Sequence, residues 1–369
     1  MAGARRPRAT AKLIECEVLP GLEPFCAAEV RRVLGRQADL ARGVTPGVVR
    51  FAWSGPLRQL LRLRTAVAAY LLDSVPGRRP SALLGDTTLF DQVETVRRLH
   101  PPGSFSSFRL SVPGRDSAAL RRLRHELSAR TGLEDDPDDG ELYLRIRRSG
   151  GGDGWDLLTR LSPRPLSARA WRAVNVPGAL NATIAAAMVE LSRPGPADRV
   201  LNLMCGSGTL LIERLARGPA ALAAGCDIDA AALAASRSNL EAAGMAGSVA
   251  LARMDATALG VGGAELDVLL ADLPYGHRMG SHQGNAALYP AVLAEAARVT
   301  RPGGALLAVT HELRLFERCL EAAARHWRAE RTVQVYQKGH HPVVYLLRRT
   351  SGKAKGKGKG LGSSQKGDI

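Results

Sequence analysis

Val200-Leu-Asn-Leu-Met-Cys-Gly-Ser-Gly-Thr209 decides the fold, because an apolar run broken only by Asn202 passes directly into a glycine loop. Two further stretches repeat the plan. Ala224-Gly-Cys-Asp-Ile-Asp229 is apolar and ends in acid, and Asp267-Val-Leu-Leu-Ala-Asp-Leu-Pro-Tyr-Gly276 is apolar and ends in a polar turn. Near-continuous apolar runs of strand length fit a parallel sheet buried on both faces. Ligands of such sheets gather at the carboxyl ends of the strands, where these glycines and carboxylates lie.

Working outward, strands are predicted near residues 199–204, 221–226, 248–253, 267–272 and 305–310, with helices over 210–217, 230–243 and 286–299 between them. Strand–helix alternation of this kind makes an α/β, doubly wound, Rossmann-like domain over residues 181–350. Residues 332–336 and 343–347, separated by a His-Pro turn, predict an antiparallel hairpin at the sheet edge.

Upstream, two smaller α/β units are expected over residues 12–78 and 79–163, followed by a Pro/Arg-rich linker at 164–180. The first holds an alternating strand (12–18), a helix (23–34) closed by Gly35, a second strand (48–53), and leucines at helical spacing that predict a helix over 57–72. The second holds a helix near 89–99, a strand at 107–112, a helix over 116–131 with caps Ser117 and Gly132, and an alternating strand at 141–147. His125, alone on its helix, reads as a surface histidine. The tail 351–369 carries five of the chain's seven lysines and almost no apolar residue, so it is expected to be disordered, either attaching RNA or simply solubilising the chain.

Composition narrows the function. The 369 residues carry a net charge of +16. Residues 1–165 have 27 basic and 19 acidic groups, 166–350 have 19 and 15, and the tail has five and one, so the excess is spread over the whole chain. A distributed excess favours a long polyanion over one small acidic substrate. No apolar stretch approaches the roughly 18 residues of a membrane span, and the basic N-terminus lacks a signal-peptide core. Five cysteines without a CxxC pair suit reduced thiols in a cytoplasmic protein and give no metal site.

The chemistry gathers at the strand ends. Cys205-Gly206-Ser207-Gly208 lets backbone approach a ligand closely. It is no dinucleotide fingerprint, since Leu211 takes the third glycine's place, and no phosphate-binding P-loop, since no Lys-Ser/Thr follows. Asp227, twenty-one residues after Gly206, stands where a carboxylate accepts from a ribose diol, and Ile228 can pack on an adenine face. Asp255, followed by Ala256, can accept from an adenine amine. Singly, either aspartate reads as a helix cap; in order at successive strand ends they describe a nucleoside site. Asp272-Leu273-Pro274-Tyr275 completes the set. An exocyclic amine is a poor nucleophile because its lone pair is delocalised into the ring. The Asp272 carboxylate and the Leu273 carbonyl can take its two N–H groups and aim the lone pair at a methyl donor. Pro274 stiffens the turn, and Tyr275 offers a ring on which an extruded base stacks.

These residues, with Asn202, resemble the motifs of class I amino-methyltransferases. With Arg278-Met-Gly280, Leu288-Tyr-Pro290, Pro165-Leu-Ser-Ala-Arg-Ala-Trp171 and Pro177-Gly-Ala-Leu-Asn181, the chain is similar to the THUMP-domain tRNA guanine-N2-methyltransferases. The resemblance implies S-adenosylmethionine as cofactor and tRNA as substrate, methylated at guanine N2 of position 6 or 7 in the acceptor stem. It also implies a ferredoxin-like unit at 12–78 and a THUMP-like RNA-binding unit at 79–163 that grip the acceptor end, and, as for some relatives, a small activator subunit. Leu273 departs from the broader D/N-P-P-Y/F pattern and argues against DNA adenine. Methylation of ribosomal RNA guanine N2 or of adenine N6, and a noncatalytic RNA-binding role, remain open. His277, Arg278 and His282, on the following loop, are candidates for phosphate or base contact.

Overall fold

A computed structural model describes residues 11–41, 45–114, 117–275, 282–337 and 339–351. The chain builds two sheets. The first contains β1 (Lys12–Glu17), β2 (Asp39–Leu40), β3 (Val48–Trp53), β4 (Ala68–Pro76), β5 (Ser107–Ser111), β6 (Glu134–Asp135), β7 (Leu142–Arg148) and β8 (Gly154–Arg160) in the order β2-β3-β1-β4-β8-β7-β5-β6. β4 pairs with β1 on one side and β8 on the other, so a single sheet runs across the boundary expected at residues 78 and 79.

Alternation in β1 shows why this sheet has one dry face. Ile14 and Cys16 are buried against α1 (Glu23–Leu34), α2 (Thr88–Arg97) and α3 (Ala118–Thr131), within one large apolar cluster. Glu15 and Glu17 point the other way and meet arginines: Glu15 pairs with Arg50 at 2.8 Å and Arg147 at 2.5 Å, Glu17 with Arg145 at 2.9 Å. Ser117 caps α3 by accepting from the Leu120 N–H, and Gly132 closes it in the left-handed region, as its sequence predicts.

The helix expected over residues 57–72 does not form. Leu57–Arg62 is a short 3₁₀ turn, and the chain then becomes β4. Residues 68–72 are all buried because β4 lies in mid-sheet and is covered on both faces. A strand of that kind shows no alternation, and its leucines can mimic helical spacing. The Glu29 carboxylate holds the bend between turn and strand, accepting from the Arg64 and Thr65 N–H groups at 2.9 to 3.0 Å.

The second sheet contains β9 (Arg199–Leu203), β10 (Leu222–Asp227), β11 (Ala250–Arg253), β12 (Leu266–Asp272), β13 (Thr300–Thr310), β14 (Trp327–Gln334) and β15 (Val343–Arg349), in the order β11-β10-β9-β12-β13-β15-β14. The first five pair in parallel; β15 and β14 are the antiparallel hairpin foreseen at the edge. Helices α4 (Ala182–Ser192), α5 (Thr209–Arg217), α6 (Ala230–Ala242), α7 (His282–Val299) and α8 (Leu313–Ala322) flank it. α8 has no counterpart in the sequence reading. The chain leaves β9 toward β11 and returns to β12 on the other side, so the order reverses between β9 and β12.

The two sheets are joined by packing and charge. Leu22 and Phe25 enter the cluster formed by α4 and the second sheet. Glu213 on α5, 1% exposed, receives Arg64 at 2.6 Å and Arg169 at 2.8 Å. The Tyr336 N–H donates to the Pro20 carbonyl at 3.0 Å. All five cysteines are free and buried. Among the described residues no helix is long and apolar enough to cross a membrane.

Candidate active site

The reversal point carries a cavity of about 720 Å³ at the carboxyl ends of β9, β10, β11 and β12. Its wall includes Asn202, Cys205, Gly206, Ser207, Asp227, Ile228, Asp255, Ala256, Asp272, Leu273, Pro274 and Tyr275. Among the expected cofactor and target-amine residues, all of them described, Gly208 alone is not on the wall; it caps the start of α5 at φ 79°. A Cβ there would meet the Ser236 Oγ at 3.0 Å, so glycine is required for both the turn and the close approach.

The glycine loop is held from three sides. The Gly206 N–H donates to Asp227 Oδ2 at 2.9 Å. Ser236 Oγ donates to the Gly206 carbonyl at 2.7 Å, and Asn239 Nδ2 to the Ser207 carbonyl at 3.0 Å. Asn239 also accepts from the Val174 N–H at 2.9 Å, which ties the segment before α4 to the loop. Sequence reading missed Ser236 and Asn239, since a polar residue on a helix gives no local sign of the loop it serves. Cys205 is buried, and burial pushes its thiol up to about 12, so it packs and does not react.

Four features of the cavity point to a nucleoside-sized ligand. Ile228 is 61% exposed on the cavity wall, a large apolar side chain awaiting a cover. Asn202 donates through Nδ2 to the Leu203 and Leu270 carbonyls, at 3.1 and 3.0 Å, while its buried Oδ1 has no partner among the described residues. A buried acceptor without a donor is costly and marks a place where a ligand or water completes the site. Asp227 uses one lone pair of each oxygen on Gly206 and Asp229 and keeps others for a diol. Asp255 accepts from both the N–H and the hydroxyl of Thr257 through Oδ1; those bonds hold its carboxyl below the usual range, and Oδ2 remains for a donor.

Asp272 ends β12 in a largely enclosed position, with part of its surface open to the cavity. Burial pushes its carboxyl up to about 7. The turn after it is locked from behind. The Leu273 N–H donates to the Val309 carbonyl at 3.0 Å. The Pro274 carbonyl accepts from the Tyr289 hydroxyl at 2.6 Å and Asn285 Nδ2 at 3.0 Å. Tyr289 lies 2.9 Å from Thr310 Oγ1, and Asn285 also reaches Glu312 Oε1. Of this brace, sequence reading noted only Tyr289, inside Leu288-Tyr-Pro290. Beyond the turn, the His311 ring stacks on Tyr275, with centroids 3.8 Å apart and planes at 31°. His282, a candidate for substrate contact, lies 2.7 Å from Glu312 Oε2 through Nδ1 and keeps its side chain largely exposed. His277 and Arg278, the Arg278–Gly280 motif and the tail from 352 lie outside the described residues.

Comparison with known proteins finds similarity to methyltransferases. Residues 169–343 match the family model described as UPF0020, RMKL-like, methyltransferase domain. A Thermus thermophilus tRNA (guanine(6)-N2)-methyltransferase is 32% identical over 209 residues, covering 56% of this chain and 60% of that protein. The mouse tRNA (guanine(6)-N(2))-methyltransferase THUMP3 is 30% identical over 187 residues, covering 47% of this chain and 37% of the relative, so the alignment spans well under half of that protein. The crystal structure of TrmN from Thermus thermophilus superposes with a TM-score of 0.72 at 24% identity, covering 91% of this chain and 99% of that one. A Listeria monocytogenes protein described as a predicted N6-adenine-specific DNA methylase gives 0.66 at 19%, covering 91% and 96%. At these identities the structural likeness establishes the fold over both sheets.

Proposed function

From a methyltransferase domain over residues 169–343, we propose that the whole chain methylates guanine N2 in the acceptor stem of tRNA, at position 6 or 7, with S-adenosylmethionine as donor. The observation that carries the reading is one cavity shared by the glycine loop, Asp227 and the Asp272–Tyr275 turn. S-adenosylmethionine, when bound, supplies an electrophilic methyl on a sulfonium.

The chain's residues do the rest. Asp227 holds the ribose hydroxyls, Ile228 covers the adenine face, Asp255 accepts from its amine, and the glycine loop admits the amino-acid end. Ionised Asp272 and the Leu273 carbonyl accept the two N–H groups of guanine N2, turning its lone pair toward the methyl. As the N–C bond forms, the methyl's bond to sulfur breaks with its electron pair left on sulfur, and the surplus proton on N2 passes to Asp272, whose raised pKa suits it as acceptor near neutral pH. Tyr275 stacks on the extruded base. No covalent enzyme intermediate is needed.

Residues 12–163, with ferredoxin-like and THUMP-like parts, grip the acceptor end, helped by the distributed positive charge. In vitro methylation of bulk tRNA with labelled S-adenosylmethionine, followed by nucleoside mass spectrometry and mapping, tests the reading. N2-methylguanosine in the acceptor stem supports it. Label on adenosine alone, or none despite cofactor binding, overturns it. Asp272→Ala should keep cofactor affinity and lose transfer.

A further inference from the structure

Asp272 and Tyr275 face a second, smaller cavity of about 250 Å³ behind the first. It is below the roughly 300–1,000 Å³ typical of drug-sized sites, a size suited to a single base. Its other polar lining is His311, which follows β13 and stacks on Tyr275, and Gln337 and His340 from the β14–β15 connection. Gln337 and His340 exchange two backbone hydrogen bonds of 2.8 Å, and the His340 ring meets His311 edge-on at 5.7 Å. One residue earlier, Tyr336 is tied to Pro20 of the first sheet's unit. At Gly21, with φ +100°, a Cβ would come within 2.0 Å of the Gln334 carbonyl oxygen, so the contact is close as well as bonded.

The arrangement matches the shape of guanine. Its N2 amine and its O6 lie on opposite flanks of N1. An amine held at Asp272, which lines both cavities, leaves the N1–H/O6 edge for the other polar residues of the smaller one. We infer that the smaller cavity is the subsite of the extruded guanine, in which Gln337 and His340 read the N1–H/O6 edge and determine specificity. The inference rests on the proposed guanine-N2 reaction. Gln337 brings both an amide donor and an amide acceptor, the pair that an N1–H/O6 edge requires. His311, stacked on Tyr275, acts as a positioning ring that backs the tyrosine against the base.

The test uses full-length protein and tRNA carrying either guanine or 2-aminopurine at the mapped position. 2-Aminopurine keeps the amine but lacks O6 and N1–H. Wild type should prefer guanine, and Gln337→Ala/His340→Ala should lower kcat/KM for guanine roughly 10- to 100-fold and bring the guanine-to-2-aminopurine ratio toward one. Gln337→Glu, which keeps the size but replaces the amide donor with a carboxylate, should lower the ratio without disturbing the fold. Equal losses on both substrates, or an unchanged ratio in both variants, overturn the inference. Wild type that methylates no guanine overturns the proposed reaction itself, an outcome visible before any variant is made.

Discussion

Replacing Asp272 by Asn separates the two consequences of burying a carboxyl at the end of β12. An ordinary aspartate has a pKa of about 3.9, and burial moves this one up to about 7. Because the folded-state value is raised, the group's stabilising contribution is complete below the ordinary value and is lost as pH rises through about 7. At 1.36 kcal/mol per tenfold, holding Asp272 ionised at pH 8 costs the fold at most about 4 kcal/mol. Asp272→Asn removes that cost, so the variant's stability relative to wild type should climb between about pH 4 and pH 8 and level off above. Catalysis runs the other way. On the proposed reaction the ionised carboxylate orients the amine, so wild-type kcat/KM should rise about tenfold from pH 6 to pH 8. Binding a sulfonium in the adjoining cavity favours the ionised form, so kcat should level off at lower pH than kcat/KM. The variant should lose roughly 10² to 10³ in kcat and show no such rise. Thermal midpoints at four or five pH values, with initial rates at the same values, check both halves. A wild-type rate that is flat from pH 6 to 8 while cofactor binding is intact would sink the assignment of Asp272 as orienting group and proton acceptor.

Tyr289→Phe deletes one of the two donors on the Pro274 carbonyl and the contact with Thr310; methyl transfer should fall about tenfold, with cofactor affinity unchanged by calorimetric titration. His311→Ala should raise the KM for RNA more than it lowers kcat, and His311→Phe should restore it, since the contact is ring on ring; failure of Phe to rescue would assign the ring a polar role. Glu213→Ala leaves Arg64 and Arg169 without their shared acceptor between the two sheets and should destabilise by about 3–5 kcal/mol, read as an earlier unfolding transition in urea.

The second sheet's parallel strands, its edge hairpin and the residues of the large cavity were legible in the amino-acid order alone. β9, β10 and β12 are largely apolar and run into a glycine or a carboxylate at the edge where a ligand can sit, so local composition carried the pattern. Residues 57–72 were misread because a strand buried on both faces and a helix share the same leucine content, and only pairing with β1 and β8 chose between them. The supports of the site were hidden for a related reason. Ser236, Asn239, Asn285 and Thr310 act through hydrogen bonds across helices and strands, and an isolated serine or asparagine looks the same whether it faces solvent or a catalytic turn. Sequence by itself determined the glycine loop and the Asp272–Tyr275 turn, whose character lies in consecutive residues. Tertiary structure decided what stands opposite them. It brought His311, Gln337 and His340 to the cavity that Asp272 and Tyr275 also line, and tied the neighbouring Tyr336 to Pro20, because contacts between distant segments follow from the packing of sheets and leave no mark on any single stretch.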